Sequence, residues 1–97
     1  MTTQLKTKPF DPAAYLESDE ARAVYLTEAF ETGDVAFIAD AFGMIARAEG
    51  MSGVARDTQL SREALYRSLS ANGNPELSTI LKVTAALGLK LTVAPIV

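Results

Sequence analysis

The chain has 97 residues, 48% of them hydrophobic and 22% charged, a length that fits one domain with a modest core. It holds neither Cys nor His, so disulfides, thiolate and imidazole metal sites, and His-based catalytic triads are all ruled out. No run approaches the ~20 apolar residues needed to cross a bilayer, and the start (Met1, Thr2, Thr3, Gln4, Leu5, Lys6) lacks a signal peptide's apolar stretch. The expectation is a reduced, cytoplasmic helical domain with no membrane segment, metal or cofactor.

The net charge of −3 argues against a nucleic-acid partner only as an average. Residues 1–50 carry four basic and nine acidic side chains, a balance of −5, whereas residues 51–97 carry five and three, a balance of +2. Counterion release depends on the charge that faces the phosphates, so the C-terminal half is free to face DNA.

Residues 1–12, with Lys6, Lys8, Pro9, Asp11 and Pro12, read as a flexible arm without a core of its own, and residues 13–97 as one domain. A short turn is expected over residues 13–16. Ser18 ahead of Asp19 and Glu20 predicts the start of a helix running to about Thr32, with Ala21, Val24, Tyr25, Ala29 and Phe30 as its apolar set and Gly33 as its stop. Asp34 then caps a helix over 35–49 that Gly50 ends. That helix is apolar nearly all round; Phe37 and Ile38 exceed one face, so either dimer contacts or the first helix must cover them.

Met51 to Leu69 is the most informative stretch. Ser52 is the expected cap of a short helix over 53–58, and Ser61 of another running to about Ser70. So short a connection forces a steep crossing, the helix-turn-helix arrangement, placed at 52–70. Advancing about 100° per residue, Arg62, Glu63, Tyr66, Arg67 and Ser70 share one arc, with Ala64, Leu65, Ser68 and Leu69 opposite. Two cations, an acid, a phenol and a hydroxyl suit base edges in a major groove, while Ser52 and Ser61 suit phosphates. Asn74 and Pro75 are expected to open a last helix to about Leu87, with Leu77, Ile80, Leu81, Thr84 and Leu87 on its core face. Leu89, Leu91 and Val93 then alternate with Lys90, Thr92 and Ala94, which predicts a short C-terminal strand. The fold class is therefore all-α, about five helices plus that strand, dimerising through the strand or the apolar second helix.

Residues 52–70 resemble the helix-turn-helix of the phage-repressor (Xre) family at Val54-Ala55, Leu60-Ser61-Arg62 and Leu65. Over residues 10–94 the chain is similar to the short addiction-module antidote proteins, the antitoxin halves of toxin–antitoxin pairs. The residues carrying this are Phe10-Asp11, Tyr15-Leu16, Tyr25-Leu26, the run Ser61 to Arg67, Leu69-Ser70, Gly73-Asn74-Pro75, Leu81-Lys82-Val83 and Ala86-Leu87-Gly88-Leu89. The resemblance implies a homodimer that binds double-stranded operator DNA, represses its own operon and neutralises a cognate toxin, in similar systems an mRNA-cleaving ribonuclease. Repressor-type motifs carry Gly at the turn position held by Gln59, which must therefore take a right-handed conformation or a strained positive φ. The acidic first helix and the arm are the parts expected to meet the toxin.

Other constellations are weaker. Glu17, Asp19 and Glu20 complement a helix dipole rather than hold a metal. The six glycines lack a phosphate-loop spacing. Ser61 with Lys82 or Tyr66 makes a poor nucleophile and base, since Ser61 already serves as a cap, so no enzyme is expected. The alternatives are a stand-alone repressor, or a protein-interaction module without DNA binding.

Overall fold

The computed structural model describes residues 16–97, and these form α1 (Asp19–Glu31), α2 (Val35–Glu49), α3 (Met51–Thr58), α4 (Arg62–Ser68) and α5 (Leu77–Ala86). The arm expected over residues 1–12 lies outside the described residues, as does most of the turn expected over 13–16. Leu16 is wholly buried and joins a core to which all five helices contribute.

The first two helices have the ends that their sequence predicts. The Ser18 hydroxyl accepts from the Ala21 N–H at 3.1 Å. At the other end of α1 the Thr32 hydroxyl donates to the Ala29 carbonyl at 2.6 Å, and Gly33 turns the chain at φ +67°. The Asp34 carboxylate then accepts from Ala36 and Phe37 at 3.0 and 3.3 Å, which opens α2. The inward register of α1 differs from the expected one. Arg22, Leu26 and Ala29 are buried, whereas Val24 and Phe30 are largely exposed. Arg22 can point inward because its charge is matched: Nε donates to the Leu16 carbonyl at 2.6 Å and a terminal nitrogen to Glu49 at 2.8 Å. That ion pair ties the start of α1 to the end of α2.

Three further expectations are corrected. Ser52 is not a cap; α3 begins two residues earlier than expected, at Met51, after Gly50 at φ +114°. This start buries the Met51 side chain and leaves Ser52 exposed in the first turn. Asn74 and Pro75 do not open the last helix, because the chain stays extended through Glu76, the N-cap of α5. The core face of α5 is Ile80, Val83, Thr84 and Leu87, so Leu77 and Leu81 remain exposed. That helix carries apolar residues all round, and periodicity alone cannot choose between its two faces.

The C-terminal strand is absent among the described residues. Gly88 turns at φ +76°, and the Leu89 N–H returns to the Thr84 carbonyl at 3.0 Å. Beyond it the chain lines a groove beside Leu26 and Phe30 of α1 without a neighbouring strand. Alternation makes a strand only where another strand completes the hydrogen-bond ladder.

Two glycines let the backbones approach closely. A Cβ on Gly43 of α2 would collide with the Leu69 carbonyl at the end of α4, and one on Gly73 with the Ser68 carbonyl. Gly53 in α3, by contrast, would meet only the far end of Arg56, at 3.5 Å. Gly43→Ala is therefore expected to lower stability by about 1–3 kcal/mol, and Gly53→Ala to leave it unchanged or raise it by up to about 1 kcal/mol. Urea unfolding of the two variants compares them directly; equal losses would show that α2 and α4 do not pack this closely.

Candidate nucleic-acid interface

The surface expected to read bases is built on α4. Its N-cap is Ser61, whose hydroxyl accepts from the Ala64 N–H at 3.0 Å. Leu65 and Leu69 are wholly buried and hold the helix from behind, against Gly43 of α2 and beside Val54 of α3. With that face fixed, the helical period turns Arg62, Glu63, Tyr66 and Arg67 outward, and all four line one shallow, open depression. The Arg62 guanidinium lies 6.0 Å from the centre of the Tyr66 ring, at the edge of cation–π range. The contact biases Arg62 toward one orientation beside the phenol.

The remaining predicted residues divide. Ser52 lies on the exposed side of α3, separate from the depression. The Ser61 oxygen accepts the capping bond, which leaves its own O–H free to donate outward. The Ser70 hydroxyl donates to the Arg67 carbonyl at 3.1 Å, so its proton is already engaged. Ser70 lies just past the end of α4 and outside that depression.

The turn between α3 and α4 settles the alternative left open for Gln59. It adopts the left-handed conformation, φ 62° and ψ 28°, and is the positive-φ residue other than glycine among those described. Its N–H and that of Leu60 both reach the Ala55 carbonyl, while the Thr58 hydroxyl donates to the Val54 carbonyl at 2.8 Å. These bonds hold the turn in a shape that Gly would adopt with less strain.

Sequence spacing missed one neighbour of this turn. Lys82 of α5 lines a second shallow depression together with Asp57, Thr58 and Gln59. No local pattern links positions 59 and 82; only the packing of α5 on α3 brings them together. Arg56 is also well exposed, with its side chain 3.4 Å from Asp57. The C-terminal half thus presents Arg56, Arg62, Arg67, Lys82 and Lys90 on its surface against Asp57, Glu63 and Glu76. Among the described residues no group of His, Cys, Asp or Glu could hold a metal, and no helix is long and apolar enough to cross a membrane.

The family model described as "probable addiction module antidote protein" matches residues 6–95. The chain belongs to this family. The antidote is also 46% identical over 93 residues to an uncharacterized protein of Haemophilus influenzae, covering 96% of this chain and 94% of that one. No solved structure matches it. Membership makes the chain the antidote half of a toxin–antitoxin system, with a toxin as its partner and a regulatory role.

Because the antidote holds Gln59 in a left-handed turn, Gln59→Gly removes a backbone cost of roughly 1–2 kcal/mol while adding unfolded-state entropy. The net expectation is a gain of about 0.5–1 kcal/mol in thermal or urea unfolding. A lower midpoint for the variant would show that the Gln59 side chain contributes more than its backbone strain costs.

Proposed function

We propose that this antitoxin binds double-stranded operator DNA with α3 and α4 acting as a helix-turn-helix, represses its own operon, and neutralises an mRNA-cleaving toxin. One observation carries the DNA reading: Arg62, Glu63, Tyr66 and Arg67 share one open surface while Leu65 and Leu69 anchor the same helix to the core. A helix that enters the major groove needs this division.

In this reading Arg62 and Arg67 donate to guanine edges or to phosphates, and Glu63 accepts from a cytosine amine. Tyr66 packs on the sugar–phosphate wall or a thymine methyl. The exposed hydroxyls of Ser52 and Ser61 take phosphates, which position the protein without reading sequence. Ser70 supports Arg67 through the backbone.

The antitoxin acts as a homodimer in this reading. Leu77, Leu81 and Ala85 repeat every fourth residue along the exposed side of α5. Glu76 and Lys82 flank this stripe with opposite charge. Two antiparallel copies of α5 bring this stripe against itself, the self-complementarity that a two-fold contact requires. The two α4 surfaces would then meet half-sites about one helical turn apart, roughly 34–36 Å.

Fluorescence anisotropy with operator DNA at two salt concentrations tests the first part. Arg62→Ala and Arg67→Ala should each weaken binding, and a residue on a base edge should lose about 1–3 kcal/mol concentrated on one base pair. Wild-type affinity must also fall as salt rises. An affinity indifferent to both substitutions removes α4 as the reading helix. For the second part, Leu81→Asp should convert a dimer into a monomer in sedimentation velocity; an unchanged dimer would place the contact elsewhere.

A further inference from the structure

The outer face of α1 and α2 around Tyr25 and Met44 has a composition that the DNA-binding reading does not use. Ala21, Tyr25 and Glu28 recur at helical spacing on α1, and Phe37, Asp40 and Met44 do the same on α2. The two rows meet where the Tyr25 hydroxyl approaches the Met44 sulfur at 3.2 Å. Asp40 is close enough to act on the Tyr25 phenol, whose pKa is raised first by burial and then by that carboxylate. Phe37 at one end of this face is 47% exposed, and Val24, beside Tyr25 on α1, is 49% exposed. Tyr, Phe and Met are the residue types enriched at the centres of protein interfaces.

The charge around this face has one sign. Residues 16–50 hold eight carboxylates and two guanidinium groups. One of those two, Arg22, is buried and paired with Glu49, which leaves Arg47 as the exposed cation of this half among the described residues.

We propose that the face formed by Tyr25 and Glu28 of α1 with Phe37, Asp40 and Met44 of α2 docks a basic protein partner, the toxin of the module. The inference rests on the antitoxin reading and adds to it the surface and the chemistry of the contact. Phe37, Tyr25 and Met44 supply the apolar contacts; Glu28 and Asp40, set among them, pair with lysines or arginines of the partner. DNA phosphates are repelled by the same carboxylates. A second copy of the chain is disfavoured too, because a two-fold contact here sets this acidic surface against itself. Toxin and operator then bind surfaces of different charge on one small protein.

The test uses the full-length protein and the purified product of the neighbouring reading frame, titrated calorimetrically. Phe37→Ser and Glu28→Lys, both at exposed positions, should each weaken toxin binding at least tenfold, with unfolding midpoints and operator mobility shifts unchanged. Arg62→Ala should show the reverse, losing operator but not toxin. If wild type binds the toxin and both α1–α2 variants bind it equally well, this docking surface is wrong and the antitoxin reading stands. If Phe37→Ser instead dissociates a homodimer, the face belongs to a second copy and the proposal falls. If wild type does not bind the neighbouring product, the antitoxin pairing itself fails and the docking surface fails with it.

Discussion

The close contact between Gly43 of α2 and the Leu69 carbonyl at the end of α4 is the constraint on which the outward surface depends. A helix of seven residues has little stability of its own, and its orientation comes from what it packs against. Here Leu65 and Leu69 are wholly buried, and a glycine on the opposing helix lets the backbone come within contact distance. Once those two leucines are fixed, the rotation of α4 about its axis is fixed as well. Arg62, Glu63, Tyr66 and Arg67 face outward as a geometric consequence of that packing. A larger side chain at position 43 would act on the surface without touching it.

A second organising feature is the segregation of charge. The acidic residues concentrate on α1, α2 and the turn between them, while the exposed arginines of the C-terminal half lie on α3 and α4. The overall balance of −3 conceals two halves of opposite charge. Arg22 shows how the segregation is compatible with folding. The cation placed among carboxylates is turned inward and used to bind Glu49 and the Leu16 carbonyl, so it stabilises the fold without neutralising the surface.

Much of this was legible in local chemistry. Ser18, Gly33, Asp34 and Ser61 act at helix ends as their residue types predict, because capping depends on only a few neighbouring atoms. The outward arc of α4 was legible for the same reason: its apolar residues leave one side free. The faces of α1 and α5 were not, because each carries apolar residues on more than one side. Val24, Phe30, Leu77 and Leu81 are as hydrophobic as the residues that are buried, and only the positions of the other helices select among them. Ser52 misled because a hydroxyl near a helix start is the usual cap, whereas the burial of Met51 moved the start ahead of it. The alternation after Gly88 misled because period two is necessary for a strand but does not supply the neighbour that makes one. Lys82 beside Gln59 was invisible to any reading along the chain, since their proximity exists only in the folded packing.

Gly50 is at once the last cap of α2 and the first of α3, with its carbonyl already accepting from Gly53 and Val54. No spare residue separates the helix that carries Phe37 from the one that leads into α4. The joint is an elbow with a single pin, at a φ of +114° that side-chain-bearing residues rarely adopt. A tilt imposed on either arm therefore has no slack in which to dissipate. The angle between α2 and α3, and with it the placement of α4 beyond them, is set at one residue.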